Sequence, residues 1–135
     1  MKRILVAASA ILLAVAPLLA HHALASEYDS QQKITVKGKL VEIDWRNPHP
    51  HFYIEVEGPN KEVTRWNIAS ATQNMLVRFP GGWTRAKVFA HINDTVSISC
   101  WKARDGSNGA YADIMTFSDG KTMQMGIGLG AGGGN

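Results

Sequence analysis

The stretch Ile34-Thr35-Val36-Lys37-Gly38-Lys39-Leu40-Val41-Glu42-Ile43-Asp44-Trp45 decides the fold. Ile34, Val36 and Leu40 alternate with Thr35, Lys37 and Lys39, the period of a strand with one apolar face. From Val41 the phase flips, and Val41, Ile43 and Trp45 carry the apolar side. A slip of one residue sends every following side chain to the opposite face. A strand that keeps its apolar side on one core must therefore take up an extra residue or bend sharply. Gly38 sits just ahead of the slip, and a glycine inside a strand marks such a place. The segment predicts one long, bent strand that takes part in two faces of a small barrel.

The flanking sequence extends that reading. Asn47-Pro48-His49-Pro50 is a turn, since each proline drives its predecessor away from helix. His51 to Glu57 alternates with Phe52, Ile54 and Val56 inward, and Gly58-Pro59-Asn60 closes a hairpin. Val63 to Ile68, with Trp66, reads as a third strand. Residues 71–78 have helix-forming composition and stop before Pro80-Gly81-Gly82, and Thr84 caps a further turn towards Ala90. Thr95 to Trp101 and Ala110 to Phe117 are the last strands, separated by Asp105-Gly106 and Asn108-Gly109 and followed by the Asp119-Gly120 turn. The expectation is an all-β fold, a small five-stranded OB-like Greek-key barrel with one short helix between strands 3 and 4. A split β-sandwich is the alternative.

Upstream, Met1-Lys2-Arg3 precedes an apolar run from Ile4 to Ala16, broken only by Ser9 and ended by Pro17. A charged start, a short apolar core and small residues at the exit form the pattern of a secretory signal peptide. The run is too short for a spanning helix, which needs roughly 20 apolar residues. Cleavage is expected after Ala20, with Ala25 as the alternative. The expected organisation is a signal over residues 1–20, an N-terminal arm over 21–32, the barrel over 33–125 and a flexible glycine-rich tail over 126–135. The mature protein is expected in the periplasm or secreted, with no membrane span.

Loss of Lys2 and Arg3 with the signal turns 14 basic against 11 acidic residues into 12 against 11. A nearly neutral domain gives no electrostatic ground for nucleic acid as a partner. Cys100 is the single cysteine, so no intramolecular disulfide forms, and its place in the alternating run Val96-Ser97-Ile98-Ser99-Cys100 predicts a buried thiol.

The assembled pattern resembles a family of exported bacterial proteins, domain of unknown function 6152. The matching pieces are His21-His22 followed by Glu27-Tyr28-Asp29, Val36-x-Gly38 leading to Asp44-Trp45-Arg46-Asn47-Pro48-His49, then Trp66, Gly82-Trp83-Thr84, Asp105-Gly106 and Asp119-Gly120. His51 and the glycine tail lie outside that pattern, and Asn93-Asp94 stands where Gly-Asp is expected. The resemblance implies a periplasmic, OB-like barrel and carries no catalytic residues with it.

The chemical lead is histidine. Four of the five lie in two tight groups, His21-His22 and His49-Pro50-His51, and the fifth, His91, reads as a surface residue. Imidazole suits zinc, copper and nickel. If cleavage falls after Ala20, His21 offers its α-amine and its ring to one metal. A further imidazole from His49 or His51 makes a nitrogen-rich, tetragonal set that favours Cu(II). Glu27 and Asp29 are candidates to support those ligands, and Met123 and Met125 are candidate thioethers for Cu(I). The ordinary alternatives are a turn histidine at 49 and solvated arm histidines at 21 and 22. No nucleophile elbow, P-loop or zinc-protease motif occurs, which points away from an enzyme. The function expected is that of an exported β-barrel protein that binds an unknown ligand, with copper through His21, His22, His49 and His51 as the candidate; the alternative is a metal-free module for a small molecule, glycan or envelope protein on a barrel face. The four tryptophans at strand and turn positions read mainly as core.

Overall fold

The structure, a computed structural model, describes residues 23–129. Among the described residues it is mostly β, with six strands, a helical turn over residues 23–27 and two short helices further on. The strands are β1 (Tyr28–Asp44), β2 (His51–Glu57), β3 (Val63–Ala69), β4 (Thr95–Ala103), β5 (Gly109–Phe117) and β6 (Thr122–Gln124). The helices α1 (Gln73–Arg78) and α2 (Arg85–Phe89) lie between β3 and β4. The expected signal peptide, with His21 and His22, lies outside the described residues. Among the described residues no helix is long and apolar enough to cross a membrane.

β1 is the long bent strand that the phase slip requires. Its first part, Lys33 to Lys39, pairs antiparallel with β4, and its second part, Lys39 to Asp44, pairs with β2. The register slips between Leu40 and Glu42, so Val41 is the extra residue, and Leu40 and Ile43 both face the core. Gly38 stands where β1 passes from one partner to the other. A Cβ there would lie 2.2 Å from the Glu55 carbonyl oxygen.

The strands follow the order β3-β2-β1-β4-β5-β6, with one further pairing, parallel, between β3 and β5. That last seam is short: Asn67, Ile68 and Ala69 oppose Gly109, Ala110 and Tyr111. The sheet is thus barrel-like but not evenly closed. Inside it Leu40, Phe52, Ile54, Ile68, Ile98 and Cys100 are fully buried, with Leu76 and Val88 from the helices over one end. Each large side chain contributes about 1.5–3 kcal/mol. Solvent-exposed ion pairs such as Lys33–Asp113 contribute under about 1 kcal/mol apiece. Apolar burial therefore holds the sheet together.

The structure departs from the sequence expectations in four places. There are six strands rather than five, because the chain after Asp119-Gly120 returns along β5 as β6. There are two helices rather than one, because Gly81 and Gly82, both at positive φ, break the backbone between them. Each helix then starts on its own threonine cap, Thr72 accepting from the Met75 N–H and Thr84 from the Lys87 N–H. β1 begins at Tyr28, inside the stretch read as an arm, since Tyr28 pairs with Ala103 and its ring lies 5.7 Å from that of Tyr111. Leu129, in the stretch read as a flexible tail, is 8% exposed and packs with Trp101, Tyr111 and Ala69.

Candidate functional site

His49 and His51 flank Pro50 at the entry to β2, and each ring is fixed by a different neighbour. His51 opposes Asp44 on one side and Ala69 on the other. Its Nδ1 lies 2.6 Å from the Asn67 amide oxygen, which accepts the Nδ1 proton and leaves Nε2 outside that bond. His49 makes the same kind of bond from the preceding turn, Nδ1 donating to the Ser70 carbonyl at 2.7 Å. The turn is itself tied down, because the Ser70 backbone N–H donates to the Pro50 carbonyl at 3.0 Å and the buried Ser70 hydroxyl lies 3.2 Å from the same oxygen. Metal-bound histidines typically donate their second ring nitrogen to a carbonyl or carboxylate in this manner. Among the described residues, however, no three His, Cys, Asp or Glu side chains come together as a metal set.

His51 borders a cleft of about 510 Å³. Its other walls are Ser26, Glu27 and Tyr28 from the N-terminal segment, Asn67 from β3, and Arg104 and Asp105 from the β4–β5 turn. Arg104 fastens the N-terminal segment at three points. Its backbone N–H donates to the Glu27 carbonyl at 2.9 Å and its Nε to the Ala25 carbonyl at 3.2 Å, while its guanidinium lies 3.6 Å from the Asp29 carboxylate. The backbone N–H of Gln31 holds the Asp29 carboxyl below the usual range, helped by the Gln32 side chain and Arg104. The hydroxyl and N–H of Ser107 do the same for Asp105. Burial, with Glu27 beside it, pushes the Tyr28 hydroxyl up to about 12, so the phenol is a neutral donor at the cleft edge. The lining mixes apolar surface with polar groups, among them the Glu27 and Asp105 carboxylates, the Arg104 guanidinium and the His51 imidazole. Next to it, the outer face of β1–β2–β3 carries Arg65 over the Tyr53 ring at 4.7 Å, with Arg65 also paired to Glu42.

Glu27 and Asp29, expected to support metal ligands, divide: Glu27 borders the cleft, whereas Asp29 is spent on Gln31, Gln32 and Arg104. Met123 and Met125 are fully buried in the main core and are not available as thioether ligands. Cys100 is buried as expected, and burial pushes its thiol up to about 12. His91 is not a free surface residue, for its ring stacks on Phe117 at 4.0 Å and its Nδ1 lies 2.7 Å from the Asp94 carboxylate. Trp101 is 7% exposed, and Trp45, Trp66 and Trp83 pack against the core. Sequence reasoning missed Asn67 and Arg104. Asn67 was legible as the outward residue between Trp66 and Ile68, but nothing local marks Arg104, whose partners lie more than seventy positions away.

Residues 9–112 match a family of unknown function, DUF6152. The chain belongs to DUF6152. The match starts inside the apolar run of residues 4–16 and ends in β5, so it takes in both histidine groups, Trp66, Gly82-Trp83-Thr84 and Asp105-Gly106. Asp119-Gly120 and β6 fall beyond the DUF6152 match. No curated protein matches the chain.

Proposed function

We propose that this DUF6152 protein is an exported binding protein, periplasmic or secreted, that takes Cu(II) in the cleft beside His51. The observation that carries this is the shared cleft: Ser26 and Glu27, which follow closely on His21-His22, line the same space as His51. The Arg104 clamp holds residues 25–29 at this cleft, and His21-His22 stand only three to four positions before Ala25 in the sequence. With Nδ1 committed to Asn67, Nε2 is the His51 nitrogen left for a metal. A signal cut after Ala20 adds the amine and ring of His21, and His22 or His49 completes a nitrogen-rich set. Copper binding then displaces protons from the amine and rings, so affinity rises with pH.

The strand order supports an OB-like reading of β1–β5, with β6 as an added edge strand. OB barrels bind ligands on the face of strands 2 and 3 and at the loops between strands 1 and 2 and strands 4 and 5. His51, Asn67 and the Arg104–Ser107 turn occupy that region. The polar β1–β2–β3 face with Tyr53 and Arg65 favours one second reading, a metal-free module that binds a polar small molecule, glycan or envelope protein there.

The test starts with the intact mass of the exported protein, which fixes its N-terminus, and continues with Cu(II) titration and EPR. The expected result is a His21 N-terminus, binding tighter than micromolar, and a nitrogen-rich tetragonal spectrum that His51→Ala and His21→Ala each weaken at least tenfold while His91→Ala leaves it unchanged. A cut after Ala25, or copper affinity indifferent to His51→Ala, overturns the copper reading in favour of the metal-free module.

A further inference from the structure

A second cleft is lined by the α1–α2 connection, α2 and the β5–β6 turn, and shares no residue with the His51 cleft. It measures about 630 Å³, within the span of small-molecule sites. Three rings form its wall. The His91 imidazole stacks on Phe117 at 4.0 Å and 24°, and the Trp83 indole leans on Phe117 at 5.6 Å and on His91 at 6.2 Å. The polar atoms of these rings that have partners are turned to the protein: the indole N–H donates to the Pro80 carbonyl at 3.0 Å, and His91 Nδ1 meets Asp94 at 2.7 Å. What remains for a ligand is ring face and edge, together with His91 Nε2.

The charge on the lining is one-sided. Lys87 and Lys121 line the cleft, and no carboxylate does. Lys87 is steadied at the rim by its bond to the Gly81 carbonyl at 2.8 Å, which leaves two ammonium protons unspent. Lys121 is 79% exposed and paired with the Asp119 carboxylate at 3.5 Å, a long, solvent-exposed contact worth under about 1 kcal/mol that it can exchange for a ligand carboxylate. An aromatic wall alone attracts cations as readily as planar neutral molecules, but two ammonium groups at its rim repel a cation and attract an anion.

We propose that this cleft is a binding site for a small planar organic anion, an aromatic carboxylate whose ring lies on Trp83 and His91 and whose carboxylate is held by Lys87 and Lys121. The site is independent of copper. It is tested on the mature full-length protein by calorimetry and amide-resolved NMR, with naphthoate as probe, naphthamide as the neutral counterpart and cyclohexanecarboxylate as the saturated one. Naphthoate is expected to saturate with shifts centred on the Trp83 indole N–H, His91 and Lys121, and to bind at least tenfold more tightly than either counterpart. Lys121→Gln is expected to weaken it about two- to fivefold, the scale of one exposed charge pair. Trp83→Leu is expected to weaken it about tenfold, the scale of one stacking contact, with Trp83→Phe restoring most of the loss. Should Trp83→Leu fail to fold, Lys121→Gln still decides, because that side chain carries no core packing. Equal affinity for naphthamide, shifts centred elsewhere, or no saturable binding at millimolar probe overturns the proposal.

Discussion

Cys100 shows how one buried group sets the response of the whole domain to alkali. The unfolded thiol ionises near 9.0, whereas burial holds the folded one near 12. Between those values the native state keeps a proton that the unfolded state has lost, so stability falls as pH rises, by up to about 1.4 kcal/mol per pH unit while this group alone titrates. Below pH 9 the contribution is fully present. Tyr28 adds the same sign over a later window, between its ordinary value of 10.0 and about 12. Asp29, Asp105 and Asp119 have the opposite sense, because their bonds to nearby N–H groups stabilise the carboxylates and are lost as pH falls through the usual carboxylate range. Asp105 and Asp119 are exposed and Asp29 is half-buried, and solvent screens such contacts, so the alkaline limb is the informative one. Urea unfolding of wild type and Cys100→Ala from pH 7 to 11 is expected to show a stability difference that is flat below pH 9 and declines above it. A difference that stays constant to pH 11 counts against a buried, protonated thiol.

Among the elements, β1 organises the rest, because one strand supplies an edge to β4 and another to β2. The handover depends on close approach at Gly38, where the β2 backbone occupies the space of a Cβ. Gly38→Ala must push β1 from β2 at the seam, and a cost of about 2–3 kcal/mol is expected, at the upper end for overpacking. Gly120→Ala is the matched control: at φ +85 it has nothing within 4 Å of the added carbon, so only backbone strain of about 1 kcal/mol applies. Denaturation midpoints of the two variants measure the difference. Equal losses would mean that conformation, not close approach, is what Gly38 supplies. The bend was legible in the sequence because the apolar phase flips between Leu40 and Val41, and no other arrangement keeps both halves on one core. The β6 strand was not legible, since three residues after a turn carry too little periodicity to be told from a loop.

On the scale of the whole molecule, two apolar clusters do different work. The larger fills the sheet, and the smaller joins the ends of the described chain, with Leu24 and Tyr28 from one side and Leu129 from the other packed on Trp101 and Tyr111. Leu129→Ala is expected to cost about 2 kcal/mol, as a buried leucine does, and a drop in Tm by scanning calorimetry checks it; an unchanged Tm would restore the reading of residues 126–129 as a loose tail. That second cluster also brings the N-terminal segment to the β4–β5 turn, and so builds the His51 cleft. The sequence alone determined the β class, the bent first strand, the hairpin after Pro50, the Thr84 cap and the burial of Cys100, because each rests on the spacing of apolar residues or on the chemistry of neighbours along the chain. It also singled out His49 and His51. Only the tertiary structure decided that His49 turns to Ser70 and His51 to Asn67, that Met123 and Met125 are core, that Arg104 clamps residues 25–29, and that His91, Trp83 and Phe117 form one wall. Those facts depend on contacts between residues far apart in sequence, which the closing of the sheet brings together and no local pattern encodes.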